Sequence, residues 1–214
     1  MKVTLRNVRT SFLRVWEAKP YEEGSHPRYS ANILIEPGSD NDKAIRAAIT
    51  ATARENWGEK SKAILGAIAG DSGKFCYQDG NRKGPNGDMK ETDGYEGMWW
   101  IASNRNQKDG APALVGRGGP DDHLKEEDGI LYSGCYVNAT LDIYAQKGKY
   151  QGMRSTLVGL QFVSDGDSFG GAPRASANDF EALDASTEED DGGFGNLDSA
   201  ATASPAPAGD DDGF

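Results

Sequence analysis

The chain has few of the residues that build metal clusters, disulfide frameworks or membrane spans. Its 214 residues include 2 cysteines and 2 histidines, and Cys76 and Cys135 have no CxxC partner. The beginning, MKVTLRNVRTSF, has no apolar signal region, and no stretch approaches the roughly 18 apolar residues of a membrane helix. These absences favour a cytoplasmic protein with no metal and no cofactor.

Positive charge is also in short supply, but its distribution along the chain is uneven. The net charge is −11, and residues 165–214 alone carry 13 acidic residues against the single Arg174, a net of −12. Residues 1–164 are therefore close to neutral, with 22 Lys and Arg balancing 21 acids. The acidity belongs to the C-terminal segment, so it does not exclude nucleic acid as a ligand of residues 1–164.

The same segment has little material for a core. It is dominated by Gly, Ala, Ser, Asp, Glu and Pro, a composition that cannot offset the entropy of ordering the chain. Its large apolar residues are Phe169, Phe180, Leu183, Phe194, Leu197 and Phe214. The sequence predicts a folded domain over residues 1–164 and a disordered acidic tail over residues 165–214.

Alternating apolar residues predict strands over residues 2–12, 28–36, 95–103, 131–144 and 155–163. The clearest pattern is 131–144, where a bend at Gly134 is expected. One side of this strand carries Tyr132, Tyr136 and Tyr144, and that side can equally be covered by an inserted helical pair or by a second subunit. Trp99 and Trp100 are adjacent, so they should point to opposite faces of their strand.

Two helices are predicted between the second and third of these strands. Ser39 to Asn41 offer N-cap chemistry, and helical spacing of apolar residues continues to Trp57-Gly58. A shorter helix is expected over residues 61–69, and residues 79–94 and 104–129 are predicted loops. The expected fold is therefore mainly β: an OB-like barrel with an inserted helical pair that packs on the sheet.

The search for an enzyme yields one cluster of acidic residues. The possible hard-metal ligands in it are Asp121, Asp122, His123, Glu126, Glu127 and Asp128. They lie in a Gly-rich stretch beside Lys125 without a second histidine, which is more typical of a solvated loop. We expect no enzyme, and we keep two alternatives open: a metal-dependent nuclease using this cluster, and a non-enzymatic virion or adaptor protein.

Residues 1–164 interleave cations with aromatic residues, the combination that binding of single-stranded nucleic acid requires. Any one of these aromatic residues, taken alone, is more often a core residue than a stacking platform. Their repeated pairing nevertheless predicts a binding surface. The candidate DNA-binding residues are Arg6, Arg9, Phe12, Arg28, Tyr29, Lys74, Tyr77, Arg82, Lys83, Trp99, Arg105, Lys147, Lys149, Tyr150 and Arg154.

The end of the chain combines negative charge with a ring, as a nucleotide does. Asp210, Asp211 and Asp212 precede Gly213 and the terminal Phe214. We hypothesise that this end competes with DNA for the basic groove and recruits replication partners once DNA displaces it. A purely solubilising tail is the alternative, although such a tail has no use for a terminal aromatic residue.

Several segments resemble phage single-stranded DNA-binding proteins related to the replication protein of T-odd podophages. They are VTLRNVRTSF, RYSANILIEP, LYSGCYVNATLDIYAQ, KGKYQGMRSTLVGLQFV and the final DDDGF. The resemblance implies an OB-fold, sequence-independent binding of single-stranded DNA in replication or recombination, contact with the replisome through the tail, and a homodimer. It places the protein in the cytoplasm of an infected bacterial host.

Overall fold

The computed structural model describes residues 1–81 and 94–169, and within them seven strands and two α-helices. The strands are β1 (Lys2–Lys19), β2 (Arg28–Ile35), β3 (Tyr77–Asp79), β4 (Trp99–Asn106), β5 (Ala113–Val115), β6 (Tyr136–Gln146) and β7 (Gly152–Ser164). The helices are α1 (Asp40–Trp57) and α2 (Ser61–Ile68).

The strands form one sheet in the order β3-β4-β2-β1-β6-β7-β5, and β4 also pairs with β7. That parallel pairing, with Asn104 opposite Thr156, closes β1, β2, β4, β6 and β7 into a five-stranded barrel. Neighbouring pairs β1–β2, β2–β4, β1–β6 and β6–β7 are antiparallel. Three antiparallel strands followed by a return beside the first, with closure through the third and fifth, make an OB-type barrel, which confirms the predicted fold class.

The barrel interior is filled by inward side chains from every barrel strand. Leu5, Ile33, Ile101, Leu141 and Leu157 are each fully buried. Because side chains alternate along a strand, the neighbours of these residues point outward and are free to form a surface. Burial of each such aliphatic side chain stabilises the fold by about 1.5–3 kcal/mol.

The helical pair is inserted between β2 and β4, as the sequence predicted. The side chain of Ser39 accepts a hydrogen bond from the Asp42 backbone N–H at 3.2 Å and starts α1, which ends at Gly58 with a φ of 55°. The apolar face of α1 buries Ile45, Ile49 and Ala53 against the barrel. A short 3-10 turn, Gly58–Lys60, leads into α2.

Several strand boundaries differ from the sequence prediction. The long strand begins at Tyr136, not at residue 131, because the chain turns at Gly134 with a φ of 113°. β4 begins at Trp99 and continues to Asn106, and β1 continues to Lys19. The register of β1 against its neighbours shifts at three places, and at two of these bulges Asn7 and Phe12 both adopt a φ of 47°.

The chain remains in contact with the barrel after β7. Tyr132 donates its hydroxyl to the Gly166 carbonyl oxygen at 2.9 Å, and the Phe169 N–H donates to the Ser133 carbonyl oxygen at 3.0 Å. Contacts with the barrel thus continue five residues past the predicted boundary at residue 164. The rest of the predicted tail, residues 170–214, lies outside the described residues.

Candidate nucleic-acid interface

A cleft of about 320 Å³ lies on the outward side of the barrel, where β4 meets β7. It sits beside the β1–β2 loop (residues 20–27) and the β6–β7 loop (residues 147–151). Its lining residues are Arg28, Ser72, Cys76, Ala102, Asn104, Arg105, Asn106, Asp109, Tyr144, Gln146, Arg154, Ser155 and Thr156. In OB-folds this face, between these two loops, is where oligonucleotides bind.

Three arginines from three strands meet in the cleft, against one acid, Asp109. Arg105 is held by its own loop, donating from Nε to Gly110 O at 2.7 Å and from Nη2 to Asp109 O at 2.6 Å. Arg154 donates from Nε to Gln146 Oε1 at 3.0 Å. Each guanidinium has five N–H donors, so these bonds orient the groups while donors remain for phosphate oxygens.

Exposed tyrosines flank the arginines. Tyr144 lines the cleft with 43% of its surface exposed, and Tyr150 in the β6–β7 loop is 62% exposed. The Lys149 ammonium lies 5.4 Å from the centre of the Tyr150 ring. On the β1–β2 loop Tyr21 is 78% exposed, 5.9 Å from the guanidinium of Arg28. Each loop thus presents a flat ring beside a cation, the pairing that stacks a base and holds its phosphate.

The same outward face carries an apolar patch at its other end. We call the residues Phe12, Leu34, Tyr95 and Trp100 the outer aromatic patch. Tyr95 forms edge-on contacts with Phe12 and Trp100, with centroid distances of 6.3 and 5.9 Å. Leu34 and Tyr95 are buried, at 2% and 6% exposure, yet neither belongs to the cluster that fills the barrel. A second small cluster therefore lies on the outside of the sheet.

Phe12 owes its position in this patch to its backbone. A φ of 47° is rarely adopted by a residue with a bulky side chain, and the register of β1 against β2 shifts between Ser11 and Arg14. Bulges of this kind re-aim a side chain. The Phe12 ring is 57% exposed beside Tyr95, where an unpaired base can reach it.

Two predicted DNA-binding residues lie instead on the side of the barrel that packs against α1, here called the helix side, and the expectation for both is corrected. Tyr77 is 1% exposed and donates its hydroxyl to Asp42 Oδ1 at 2.8 Å, so no base can stack on its ring. Trp99 packs against Tyr77 at 5.2 Å, with the Arg46 guanidinium 4.5 Å from its centre. Trp100 points to the other face, as adjacent strand residues must.

The protonation states of Asp42 and Tyr77 on the helix side follow from the same contacts. Burial raises the pKa of Asp42, but hydrogen bonds from Gly38 N–H, Tyr77 and Arg46 outweigh it and leave this pKa below its ordinary value. Burial, with the adjacent Asp42, raises the pKa of Tyr77. Asp42 is therefore a carboxylate, and Tyr77 a neutral donor to it, at neutral pH.

The remaining predicted residues are distributed as follows. Arg28, Arg105 and Arg154 come together in the cleft, with Lys147, Lys149 and Tyr150 on the loop beside it. Lys74, paired with Asp71 at 3.0 Å, is next to Gly73, whose carbonyl oxygen accepts from Arg154. Tyr29 lies opposite Arg105 across the β2–β4 pair and is half-buried, and Arg6 is exposed at the first bulge. Arg82, Lys83, Asp210, Asp211, Asp212 and Phe214 lie outside the described residues.

Arg9 lies on the outward face, but its guanidinium already contacts residues that follow β7. Its Nε donates to Gly134 O at 3.0 Å and its Nη2 donates to Asp167 O at 2.7 Å. The Phe169 ring centre lies 4.1 Å from the guanidinium carbon, and the Tyr136 ring lies on it at 5.8 Å. The tyrosine side of β6 is thus covered by residues 165–169 at Tyr132 and Tyr136, while Tyr144 remains exposed.

Sequence reasoning missed Tyr21, Tyr95, Trp100 and Tyr144 as members of the outward face. Tyr144 had a usable signal, because it lies on the polar side of a strand whose other side is buried. Tyr21 also had one, since it lies seven residues before Arg28 in a loop with polar neighbours. The role of Tyr95 had none, because it depends on the fold of the connection before β4.

The acidic cluster at residues 121–128 makes local contacts. Asp122 Oδ2 accepts the Gly118 N–H at 2.9 Å, and Asp128 Oδ2 accepts the Lys125 N–H at 2.7 Å. Within residues 1–81 and 94–169, no group of three or more His, Cys, Asp and Glu is arranged to hold a metal ion. In the same ranges, no helix has the length and apolar character needed to cross a membrane.

Cys76, in the floor of the cleft, is not a reactive group. Burial raises the pKa of its thiol to about 12, against a smaller opposing effect of Arg154. Thiolate is the reactive form of cysteine, so this side chain is inert near neutral pH.

The closed five-stranded barrel, with an outward cleft lined by arginines and a tyrosine, defines an OB-type protein. Residues 1–192 match the family described as Enterobacter phage Enc34, ssDNA-binding protein, and the chain belongs to that family. It is a family of phage single-stranded DNA-binding proteins, which is not an enzyme class. Protein p50 of Acyrthosiphon pisum secondary endosymbiont phage 1 is 35% identical over 193 residues, covering 89% of this chain and 98% of that protein.

Solved structures agree on the fold. The single-stranded DNA-binding protein from bacteriophage Enc34 in complex with ssDNA matches with a TM-score of 0.60 and 21% identity, over 79% of this chain and 89% of that one. A C-terminal truncation of the Enc34 protein matches with a TM-score of 0.59 and 20% identity, over 78% and 88% of the two chains.

Proposed function

We propose that the outward face of β2 and β4 is where this chain binds single-stranded DNA, without sequence preference and without catalysis. The observation that carries the proposal is the convergence of Arg28, Arg105 and Arg154 in one cleft beside the exposed rings of Tyr144 and Tyr150. Arginine forks suit phosphate oxygens, and rings stack on any base, so neither contact reads sequence.

Residues 1–164 are nearly neutral, so affinity depends on this local concentration of cations. Each phosphate contact to a single strand adds about 0.7 to the slope of log affinity against log salt. Stacking adds about 1–3 kcal/mol per base and depends little on salt. Binding should therefore weaken with salt but retain a component from the tyrosines and Phe12.

The acidic end of the chain is a candidate competitor for the cleft. Asp210, Asp211, Asp212 and Phe214 offer negative charge and a ring, which are the features that the arginines and tyrosines would bind in a nucleotide. We propose that DNA displaces this end, which then contacts replication proteins. A role in phage replication or recombination, in the cytoplasm of the infected host and as a homodimer, completes the proposal.

The deciding experiment is a titration with oligo-dT, followed by tryptophan fluorescence at two salt concentrations. Trp100 lies in the outer aromatic patch, so bound bases should quench it, and the affinity should fall at the higher salt. Absence of quenching in a folded protein would contradict DNA binding at this face and favour the adaptor alternative. Cleavage of labelled DNA with magnesium, abolished by Asp121→Ala, would favour the nuclease alternative.

A further inference from the structure

We propose that residues 165–169, here called the strap, occupy a nucleotide subsite at Arg9 that long single strands reach by displacing the strap. The proposal rests on the proposed function, because it extends the DNA path from the cleft to the other end of the same face. It concerns residues next to the barrel and is independent of the terminal residues 210–214.

The subsite and the cleft share one face of the sheet. On β2, Arg28 in the cleft and Leu34 in the outer aromatic patch are six residues apart, so both point outward. Arg9 lies opposite Leu34 on β1, and Trp100 lies opposite Leu34 on β4. The two ends of the path are about 20 Å apart along the strand, a distance that one OB-fold covers when it binds several nucleotides.

The strap presents to Arg9 the same chemical groups that a nucleotide would present. The Asp167 carbonyl oxygen accepts from Arg9 Nη2 at 2.7 Å, and its carboxylate lies 3.6 Å from the same nitrogen. The centre of the Phe169 ring lies 4.1 Å from the guanidinium carbon of Arg9. A phosphate oxygen and a base would take these two positions.

The Phe169 ring also covers apolar surface that bases could stack on. A side chain at Gly94 would collide with this ring and would also contact Leu34, which places Phe169 against Gly94 and close to Leu34. Leu34 is 2% exposed although it points outward, so the cover is close. Removal of Phe169 would open the patch formed by Phe12, Tyr95 and Trp100 along its Leu34 side.

The strap is held by few and replaceable bonds. Its main-chain bonds are those of Gly166 with the Tyr132 hydroxyl, of Asp167 with Arg9, and of Phe169 with Ser133. The side chain of Asp167 is fully exposed. A phosphate brings a full charge to Arg9, where the strap brings a carbonyl oxygen and a solvated carboxylate, so DNA has the stronger partner for this guanidinium.

The test compares the full-length protein with Phe169→Ala, using oligo-dT of about 4 and about 16 nucleotides, the range of site sizes for one OB-fold. The longer strand should bind Phe169→Ala about two- to tenfold more tightly than wild type, because no Phe169 ring has to leave Arg9, while the salt slope stays unchanged, since Arg9 contacts a phosphate in both complexes. The shorter strand should bind both proteins equally, because it fits within the cleft. Adding Arg9→Ala should lower the slope for the longer strand by about 0.7 and abolish the gain in affinity.

The matched control is Phe180→Ala, the same change further along the acidic segment, which should leave both affinities unchanged. Phe214→Ala tests the terminal residue separately. If Phe214→Ala tightens binding of the longer strand and Phe169→Ala does not, the competitor is the end of the chain and the strap proposal fails.

Hydrogen exchange of the wild-type protein tests the strap without a substitution. The Phe169 N–H donates to Ser133 O, and its exchange rate should rise when the longer strand is bound. With the shorter strand bound, the exchange rate should stay as it is in the free protein. Unchanged or slower exchange with the longer strand would identify the strap as a fixed part of the barrel and overturn the proposal. The proposed function is tested separately: it fails if Arg28→Ala with Arg154→Ala leaves binding of the shorter strand intact.

Discussion

Two clusters of arginine and aromatic residues lie on different sides of the barrel and use the same residue types for different purposes. On the helix side Arg46 stacks on Trp99 while Tyr77 donates to the buried Asp42. In the cleft, three arginines stand beside tyrosines with 43% and 62% of their surface exposed. The difference is a buried carboxylate: where one is present, it satisfies the cation and the hydroxyl, and the cluster becomes structural.

The largest expected effect comes from removing two cleft arginines, Arg28→Ala with Arg154→Ala. Each charge-assisted bond to phosphate contributes about 1.5 kcal/mol or more, so DNA binding should weaken by about 3 kcal/mol. The salt slope should fall by about 1.4. Fluorescence anisotropy of labelled oligo-dT measures both values.

The control for that variant is Lys60→Ala with Lys62→Ala, which removes two exposed charges at the start of α2 that do not line the cleft. Equal loss of affinity in both double variants would mean that overall charge, and not the cleft, determines binding.

The next largest effect is on stability, from Tyr77→Phe. The variant removes the 2.8 Å bond to the Asp42 carboxylate inside the fold, and the free energy of unfolding should fall by about 1–3 kcal/mol. Urea denaturation measures this, and DNA affinity should stay unchanged. Tyr21→Phe, at a ring that is 78% exposed, should alter stability by less than about 0.5 kcal/mol. Weaker DNA binding by folded Tyr77→Phe would contradict the division into two sides.

A smaller effect is expected from Tyr150→Ala, which should weaken DNA binding by about 1 kcal/mol through loss of one stacked base. The unfolding transition should not move, since the ring is 62% exposed. Tyr150→Phe keeps the flat ring and should bind like wild type. If the phenylalanine variant binds as weakly as the alanine variant, the hydroxyl and not the ring is what contacts DNA.

The smallest effect is a pH dependence on the helix side. Because the pKa of Asp42 is lowered in the folded state, its stabilisation is present above the ordinary carboxyl pKa of about 3.9 and is lost as pH falls through the folded-state value. The stability difference between wild type and Tyr77→Phe should therefore shrink on acidification below about pH 3.9. Urea denaturation at a series of pH values measures it, and a difference that grows would contradict an ionised Asp42.

The fold could be predicted from the sequence because its signals are local. Alternation revealed the five barrel strands but not the three-residue strands β3 and β5, the second of which lies in the predicted loop 104–129. The cap at Ser39 and the stop at Gly58 bounded the helix. The bend at Gly134 was predicted, but the start of the strand at Tyr136 was not, since apolar alternation continues through the bend from Leu131 to Ile143. The φ of 113° at Gly134 is a backbone property that hydrophobic spacing does not report.

The site was predictable in part. Arg28, Arg105 and Arg154 were identified by charge, but their meeting in one cleft depends on the closure of β4 on β7, which pairs residues far apart in sequence. Tyr77 and Trp99 were misassigned because the α1 residues that they contact, Asp42 and Arg46, lie far from them in the sequence, Asp42 being 35 residues from Tyr77. Cations paired with rings in a sequence therefore identify clusters, while the fold decides which clusters face solvent.

The joint between β4 and β7 has a further consequence. Asn104 faces Thr156 there, and the hydroxyls of Ser103 and Ser155 are 2.7 Å apart just beneath. Because the β4–β7 pairing is short, we expect the barrel to open locally there first. The same pairing lies in the floor of the arginine cleft. DNA bound across this pairing would hold β4 and β7 together, so the unfolding temperature should rise with the fraction of protein that has DNA bound.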